Sequence, residues 1–390
     1  MSFNRRRFIL LGGLALGAAP VIALQRSSRQ AEAEPVAIAT KEVGPEANLA
    51  AAPAVRQNIG PSGLYAPPRG DIRVVVISDL NSRYGSTDYR QEVIEGVQML
   101  PDWQPDLVIC GGDMVAGQSI SLTQPEIEAM WTAFDRQILS SIRAAGLPFA
   151  FTVGNHDASS VKQQGEFVYV LDRQEASRFW QAHEPDTALS FIEDAGFPYY
   201  YSFKQNDIFY LVWDASSANV APEQVAWADR SLGSPEAQSA KLRIVLGHLP
   251  FYAVSQGRDR AGEILNQADQ LRAMLERHQV STYISGHHHA YFPGHAGQLN
   301  FLHAGALGSG PRSLLNSTGA PFQTLTVMDI FLDVPETVYT TYNMNTRQVV
   351  DRQNLPRQIV GPNGRELRQD LTLADLSEAE QNQAYVPSAH

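Results

Sequence analysis

The chain has 390 residues, of which 44% are hydrophobic and 18% are charged, and its formal net charge at pH 7 is −11. This length and composition can bury a sizeable core as one large domain or two ordinary ones, which excludes collagen-like, disulfide-rich and disordered classes. The acidic balance also argues against nucleic-acid binding through a general basic surface, because that mode needs clustered Lys and Arg to displace counterions.

Residues 1–33 have the pattern of an export signal. Arg5, Arg6 and Arg7 precede a short apolar run rich in Gly and Ala, and "AEA" ending at Ala33 is a suitable cleavage site. The start resembles a twin-arginine signal, which directs export of folded proteins. We therefore expect a periplasmic or other extracytoplasmic protein with no stable transmembrane span after cleavage. The alternative is a permanent amino-terminal membrane anchor, although the apolar run is short for a span.

Composition divides the rest of the chain into three parts. Residues 34–70 are rich in Ala and Pro without sustained periodicity, as in a linker or a segment laid over a surface. Residues 71–350 carry the strand-like and helix-like patterns of the folded domain. Residues 351–390 are polar, and we expect a surface tail with a short helix at "LADLSEAEQ".

Strand-like and helix-like runs alternate early in the domain, and strands dominate later. "IRVVVIS", "DLVICGG" and "PFAFTV" predict strands, separated by the helical "DYRQEVIEGVQML" and by a helix that starts at "TQPE". Thr123 and Glu126 form a capping-box pattern at that second helix. Cys110, the single cysteine, lies within an apolar strand and predicts a buried thiol with no disulfide partner.

The second half adds further strands and one helix. The predicted strands are "YYYSF", "IFYLVWDAS", "KLRIVLGH", "VSTYISGHHH", "LNFLHAG", "FQTLTVMDIFL" and "TVYTTYNMN", with a helix at "ILNQADQLRAMLERH". Early βαβ alternation followed by a strand-rich half predicts an α/β fold in which mixed sheets are covered by helices.

Polar residues follow five of the predicted strands at the point where each strand ends. They are Asp79, Asp113, Asn155 with His156, His248, and His287 to His289. Each motif alone is typical of a turn. Because loops at strand ends gather distant side chains onto one rim, the ordered set favours a single site. Carboxylate, amide and imidazole together suit Mn, Fe or Zn, and the lack of a cysteine cluster argues against a structural zinc site.

The ordered motifs "SDLN", "GGD", "GNHD", "GH" and "GHHH" resemble the calcineurin-like metallophosphoesterase superfamily, which includes purple acid phosphatases and phosphodiesterases. The resemblance covers roughly residues 72–345. It implies a four-layer α/β/β/α sandwich of two mixed sheets flanked by helices, with two divalent metal ions at the strand ends. Two such ions lower the pKa of a bound water toward ~7 and supply hydroxide for attack on a phosphoryl group.

The resemblance also assigns ligands and a catalytic residue. One metal would take Asp79, Asn81, Asp113 and His289, and the other would take Asp113, Asn155, His248 and His287. Asp113 would bridge both ions. His156 would lie just outside the metals, where it could stabilise phosphoryl oxygens or protonate the leaving group.

Two positions depart from the usual pattern of the superfamily. Asn81 stands where histidine is usual, which puts the affinity of one metal site in question. Ala116 stands where many phosphatases have an acid that orients the histidine of "GNHD", which weakens the case for His156 as a strong proton donor. Substrate contacts are predicted for Arg312, which follows the strand after "GHHH", and for Arg258 and Arg260, which follow His248.

The sequence therefore supports two functions. The first is an exported metallophosphoesterase that acts on a small phosphomonoester or phosphodiester through a metal-bound hydroxide at a dimetal centre. The second is a degenerate relative that binds one metal and serves as a non-catalytic binding or envelope-associated protein.

Overall fold

The computed structural model describes residues 56–333 and 336–388. The expected export signal at residues 1–33 and the first part of the linker lie outside these residues. Within them, no helix is both long and apolar enough to cross a membrane.

A six-stranded sheet carries the first three motifs. Its strands, in spatial order, are β15 (Gln348–Val349), β14 (Glu336–Asn343), β13 (Thr324–Phe331), β1 (Ile72–Ile77), β2 (Leu107–Cys110) and β3 (Phe149–Phe151). β1, β2 and β3 are parallel neighbours, whereas β13 pairs with β1 in the antiparallel sense. The carboxyl ends of the three parallel strands therefore lie side by side.

A nine-stranded sheet carries the histidine motifs. Its spatial order is β16 (Gln358–Gly361), β17 (Gly364–Arg368), β11 (Tyr291–Ala296), β12 (Leu299–Ala304), β10 (Thr282–Ser285), β9 (Leu242–Leu246), β8 (Ile208–Val212), β7 (Tyr200–Gln205) and β6 (Phe191–Gly196). β9 and β10 are parallel neighbours, so the loops after them share one edge of this sheet. β4 (Lys162–Gln163) and β5 (Glu166–Phe167) form a separate antiparallel pair.

Helices flank the two sheets, and all of them except the last contribute buried residues to the hydrophobic clusters. They are α1 (Gln91–Met99), α2 (Gln124–Phe134), α3 (Ser140–Ala144), α4 (Asn155–Ala158), α5 (Val170–His183), α6 (Pro222–Leu232), α7 (Pro235–Gln238), α8 (Ala268–Arg277) and α9 (Glu378–Gln381). A π-helical turn, Asp135–Leu139, joins α2 to α3. The predicted capping box is confirmed at α2, where Glu126 accepts hydrogen bonds from the backbone and side chain of Thr123.

Alternation along the strands produces the layers. Val75 and Ile77 of β1 pack beneath the helices of the first sheet, whereas Val74 and Val76 face the second sheet and pack with residues such as Val212. A third cluster lies between the second sheet and helices α6 and α8. Because side chains alternate across a strand, one buried strand supplies two cores. The expected four-layer α/β/β/α sandwich is confirmed.

The carboxyl-terminal residues differ from the expected surface tail. β16 and β17 form a hairpin that extends the second sheet beside β11. Glu366 is buried there and lies 3.0 Å from His303 Nε2. Buried polar residues such as Glu366 interrupt the alternation of apolar and polar residues from which a strand is predicted. The expected short helix is present as a turn at Leu373–Asp375 followed by α9.

Candidate metal centre

The two sheets present their strand ends to each other. Asp79 and Asp113 follow β1 and β2, Asn155 begins α4 just after β3, and His248 and His287 follow β9 and β10. The two edges meet directly, since the backbone amide of His287 donates to both carboxylate oxygens of Asp79, at 3.1 and 3.2 Å. The fold thus brings residues more than 200 positions apart into one buried site.

One cluster contains Asp79, Asp113 and His289. Ligand atoms of these three buried residues all lie within 4.8 Å of one another. His289 Nε2 is 3.1 Å from Asp79 Oδ1, yet within the described ranges neither His289 Nε2 nor Asp113 Oδ2 has an aligned hydrogen-bond partner. Buried polar atoms without partners are costly unless an ion or water satisfies them. The residues therefore fit a cation.

A second cluster adjoins the first. Asn155 Oδ1 lies 3.0 Å from His248 Nε2 and 2.8 Å from His287 Nδ1. His248 Nε2 is also 3.4 Å from Asp113 Oδ2, so Asp113 belongs to both clusters. The structure brings six of the seven predicted ligands together in these two clusters.

Each histidine has its second ring nitrogen held by a protein acceptor. Nδ1 of His248 lies 2.7 Å from the Gly111 carbonyl, and Nδ1 of His289 lies 2.9 Å from the Gly310 carbonyl. Nε2 of His287 lies 2.9 Å from Glu263 Oε2. When these outward nitrogens carry the ring proton, the other ring nitrogen of each histidine is unprotonated and its lone pair faces the centre. This arrangement is typical of metal-ligating histidines.

Asp113 and His248 each favour the charged form of the other. Burial favours a neutral carboxyl, but His248 and His156 outweigh it and hold the pKa of Asp113 below its ordinary value. Burial lowers the pKa of His248, and the Asp113 charge reverses this and raises that pKa to about 9. Burial and the Arg258 charge together lower the pKa of His287. His248 would have to lose its ring proton on the centre side to coordinate a metal ion, because ligands bind in their deprotonated form.

Four of the clustered residues have left-handed backbones. The φ angles are 51° at Asp79, 54° at Asp113, 62° at His287 and 53° at His289. Non-glycine residues adopt this region at an energetic cost, and such strain is concentrated at functional sites. Gly112, which precedes Asp113, has φ 101°, and a Cβ at this position would lie 2.6 Å from His248 Nδ1. Glycine is required at that position by both conformation and space.

His156 lies at the border of the centre. Its backbone amide donates to Asp113 Oδ1 at 2.8 Å, and its Nδ1 is 3.0 Å from the Gly117 carbonyl. In this chain the Gly117 carbonyl, rather than an acidic side chain at position 116, contacts the ring nitrogen of His156. Tyr84, which is 61% exposed, lies with its ring centroid 5.0 Å from that of His156. The loop after Asp113 thus orients His156 without a carboxylate.

Asn81 is buried close to the first cluster. Its backbone amide donates to the Asp113 carbonyl at 3.1 Å, and its carbonyl accepts from Ser309 at 3.0 Å. Within residues 56–333 and 336–388, its side-chain amide takes part in no hydrogen bond with the other ligands. Coordination by Asn81 therefore stays a prediction.

The three predicted arginines occupy different positions. Arg258 Nη1 is 2.9 Å from His287 Nε2, and the backbone amide of Arg312 donates to the His289 carbonyl. Both have a buried Nε that lacks a hydrogen-bond partner in the described part of the chain. The Arg260 side chain is 62% exposed and pairs with Glu263. A substrate contact by Arg260 stays a prediction.

Sequence reasoning missed Glu263, Gly117 and Tyr84 and gave no contact for His288. Glu263 lies within an irregular loop, and its only sequence signal is its position between two strand-end histidine motifs. His288 is part of the predicted histidine motif and is assigned to neither metal. Its Nδ1 accepts a hydrogen bond from the Val254 amide, and its Nε2 lies 3.0 Å from the Glu263 carbonyl. Contacts formed by loop backbone carry no sequence signature.

Comparison with solved structures identifies similar folds. A purple acid phosphatase from yellow lupin (Lupinus luteus) seeds superposes with a TM-score of 0.52 at 16% identity, covering 74% of this chain and 54% of the lupin chain. The chain thus spans about half of the lupin protein. A dimetal phosphatase from Danio rerio gives a TM-score of 0.48 at 11% identity, covering 70% and 97% of the two chains. A search of curated proteins finds no significant match.

The family comparison matches a range that contains all five ordered motifs, from "SDLN" to "GHHH". The model described as calcineurin-like phosphoesterase matches residues 72–291, which is more than half of the 390 residues. The chain therefore belongs to the calcineurin-like phosphoesterase family.

Proposed function

We propose that this protein is an exported, metal-dependent phosphoric ester hydrolase with a dimetal centre. The observation that carries the proposal is the position of Asp113, whose Oδ2 has no hydrogen-bond partner among the described residues and belongs to two adjoining clusters of ligand atoms. One carboxylate between two clusters is the arrangement a bridging ligand needs.

The donor atoms divide between two metals. Asp79, Asp113 and His289, with Asn81, would hold one ion, and Asp113, Asn155, His248 and His287 would hold the other. Mixed oxygen and imidazole donors suit Mn, Fe or Zn. When bound, such a pair of ions orients a phosphoryl group and lowers the pKa of a coordinated water to near neutrality.

The surrounding side chains supply the remaining chemistry. The Gly117 carbonyl holds Nδ1 of His156, which leaves Nε2 to stabilise a phosphoryl oxygen or protonate the departing oxygen. Arg258 and Arg312 lie beside the ligand histidines with a buried Nε unengaged within the described ranges, and a guanidinium is suited to phosphoryl oxygens. Arg260 pairs with Glu263 at the surface, and the proposal assigns it no contact with a phosphoryl oxygen.

Hydrolysis of two chromogenic esters tests the function. Purified protein supplied with Mn²⁺ is expected to release 4-nitrophenol from 4-nitrophenyl phosphate, from bis(4-nitrophenyl) phosphate, or from both, and the ratio indicates the preferred ester class. Protein that binds a single metal and hydrolyses neither ester would contradict the proposal. That outcome would favour the non-catalytic alternative.

A further inference from the structure

Glu263 lies behind His287, on the side away from the ligand cluster. Its Oε2 is 2.9 Å from His287 Nε2 and accepts a hydrogen bond from Arg258 Nη1 at 2.8 Å. Arg258 Nη1 also lies 2.9 Å from His287 Nε2, so Glu263 and Arg258 meet at the same ring nitrogen, where only the glutamate can accept its proton. The other two ligand histidines have backbone carbonyls at the corresponding position. His287 is thus the ligand whose orientation depends on a charged side chain from a separate loop.

The adjacent histidine anchors the same glutamate. His288 is buried, its Nδ1 accepts from the Val254 amide at 3.2 Å, and this fixes the proton on Nε2. Nε2 lies 3.0 Å from the Glu263 carbonyl, to which it can donate. Glu263 therefore contacts the two adjacent histidines, one through its carboxylate and one through its backbone.

The loop that carries Glu263 is bound by the carboxyl-terminal residues. Asp259 is 5% exposed and lies next to Arg258. Its Oδ2 accepts from the Tyr385 hydroxyl at 2.8 Å and from the Ser388 amide at 2.9 Å, and its Oδ1 accepts from the Ser388 hydroxyl at 2.5 Å. The Ser388 hydroxyl also accepts from the Gly257 amide at 3.0 Å. These contacts span more than 120 residues of sequence.

We propose that Glu263 is a positioning residue for His287, and that Tyr385 and Ser388 hold the loop of Glu263 in place through Asp259. The inference rests on the metal centre of the proposed function. A carboxylate on the far nitrogen fixes the ring and raises the basicity of the nitrogen that coordinates, so its loss weakens metal binding at that site. Within the described residues, Glu263 forms no hydrogen bond with Asp79 or His289, so its loss is expected to affect their site less.

Calorimetric titration of chelator-treated protein with Mn²⁺ measures the two binding events without relying on activity. Glu263→Ala is expected to weaken one event by about 10–100-fold and leave the other unchanged. Glu263→Gln should recover much of the loss, because its amide oxygen still accepts from His287 Nε2. Glu223→Gln on α6, an exposed position, is the matched control and should match the unmodified protein.

Outcomes of the Glu263 series separate positioning from folding. Both binding constants unchanged in Glu263→Ala would overturn the role of Glu263. Equal weakening of both events, together with a lower thermal midpoint of the metal-free protein, would show a folding role only and would also overturn it.

Shortening the chain tests the carboxyl-terminal contacts. Protein that ends at Gln383, and to a lesser degree Tyr385→Phe, should weaken the same binding event that Glu263→Ala weakens. Unchanged binding in the shortened protein would overturn the role of Tyr385 and Ser388. Unmodified protein that binds two metals but cleaves no ester would contradict the proposed function and leave the inference on Glu263 intact. Unmodified protein that binds no metal would overturn the inference on Glu263.

Discussion

At the scale of single residues, Asp113 has the largest expected effect. Asp113→Asn removes the charge shared by both clusters, so ester hydrolysis should fall by several orders of magnitude while the protein stays folded. Turnover, metal content and circular dichroism check this together. Asp207→Asn, whose side chain is 64% exposed, is the control and should behave as the unmodified protein. An active Asp113→Asn protein with full metal content would contradict the bridging role.

Asn81 is the residue whose contribution differs most from the family pattern. An amide oxygen is a neutral and weaker donor than imidazole for Zn and Fe, so the site with Asp79 and His289 should lose its metal first. Activity should rise on adding Mn²⁺, and Asn81→His should bind the weaker metal roughly 10–100-fold more tightly. Mass-spectrometric metal analysis and calorimetry of both proteins test this. Two equally tight metals in the unmodified protein, unchanged by the substitution, would show that Asn81 is no weakness.

At the scale of elements, a buried ion pair joins the first sheet to the segment before it. Arg73 of β1 contacts Asp329 of β13 at 2.8 and 3.0 Å, and both side chains are almost fully buried. Arg73 also donates to the carbonyls of Ile59 and Pro67. The pair therefore attaches residues 56–70 to the sheet whose strand ends carry Asp79 and Asp113.

Breaking that pair should be costly. Asp329→Ala leaves the Arg73 charge buried without its partner, and the free energy of unfolding should drop by about 3–5 kcal/mol. Urea denaturation measures the change. Glu128→Ala is the control, since its pair with Arg178 lies at the surface and should contribute less than about 1 kcal/mol. A loss at Asp329 no larger than the loss at Glu128 would be inconsistent with a structural role for the pair.

The contact between the carboxyl terminus and the Glu263 loop should depend on pH in a defined window. Burial favours neutral Asp259, but the hydrogen bonds from Ser388 and Tyr385 outweigh it and lower the pKa of Asp259 from 3.8 to about 2. A lowered carboxyl pKa stabilises the fold above the ordinary value, and this contribution is lost as pH falls toward the folded value. Asp259→Asn should therefore be less stable than the unmodified protein above pH 4.

The difference between the two proteins should be on the order of 1–2 kcal/mol above pH 4 and should shrink between pH 4 and pH 2. Denaturation at several pH values measures it. A difference that stays constant across this window would show that Asp259 contributes through something other than its charge.

At the scale of the whole molecule, the expected export depends on residues 1–33, which lie outside the residues that the structure describes. We expect mature protein from the native host to begin near Glu34, and replacement of Arg5 and Arg6 by Lys to keep the protein in the cytoplasm. Amino-terminal sequencing and fractionation measure both. Retention of Met1 in an exported, membrane-associated protein would support the anchor instead.

The sequence by itself determined an α/β fold and a set of polar residues at strand ends, because these depend on local patterns, whereas the four-layer sandwich and the assignment of ligands followed from the resemblance of the ordered motifs to the family. Strand periodicity and the glycine-led motifs at strand ends placed Asp79, Asp113, Asn155, His248, His287 and His289, and the structure gathers them because parallel strands share an edge. Only the tertiary structure decided which contacts orient them. Glu263 reaches His287 from 24 residues away, and Tyr385 reaches Asp259 from 126 residues away. No local pattern encodes such pairs, because they form only when loops with no periodicity are held together by packing.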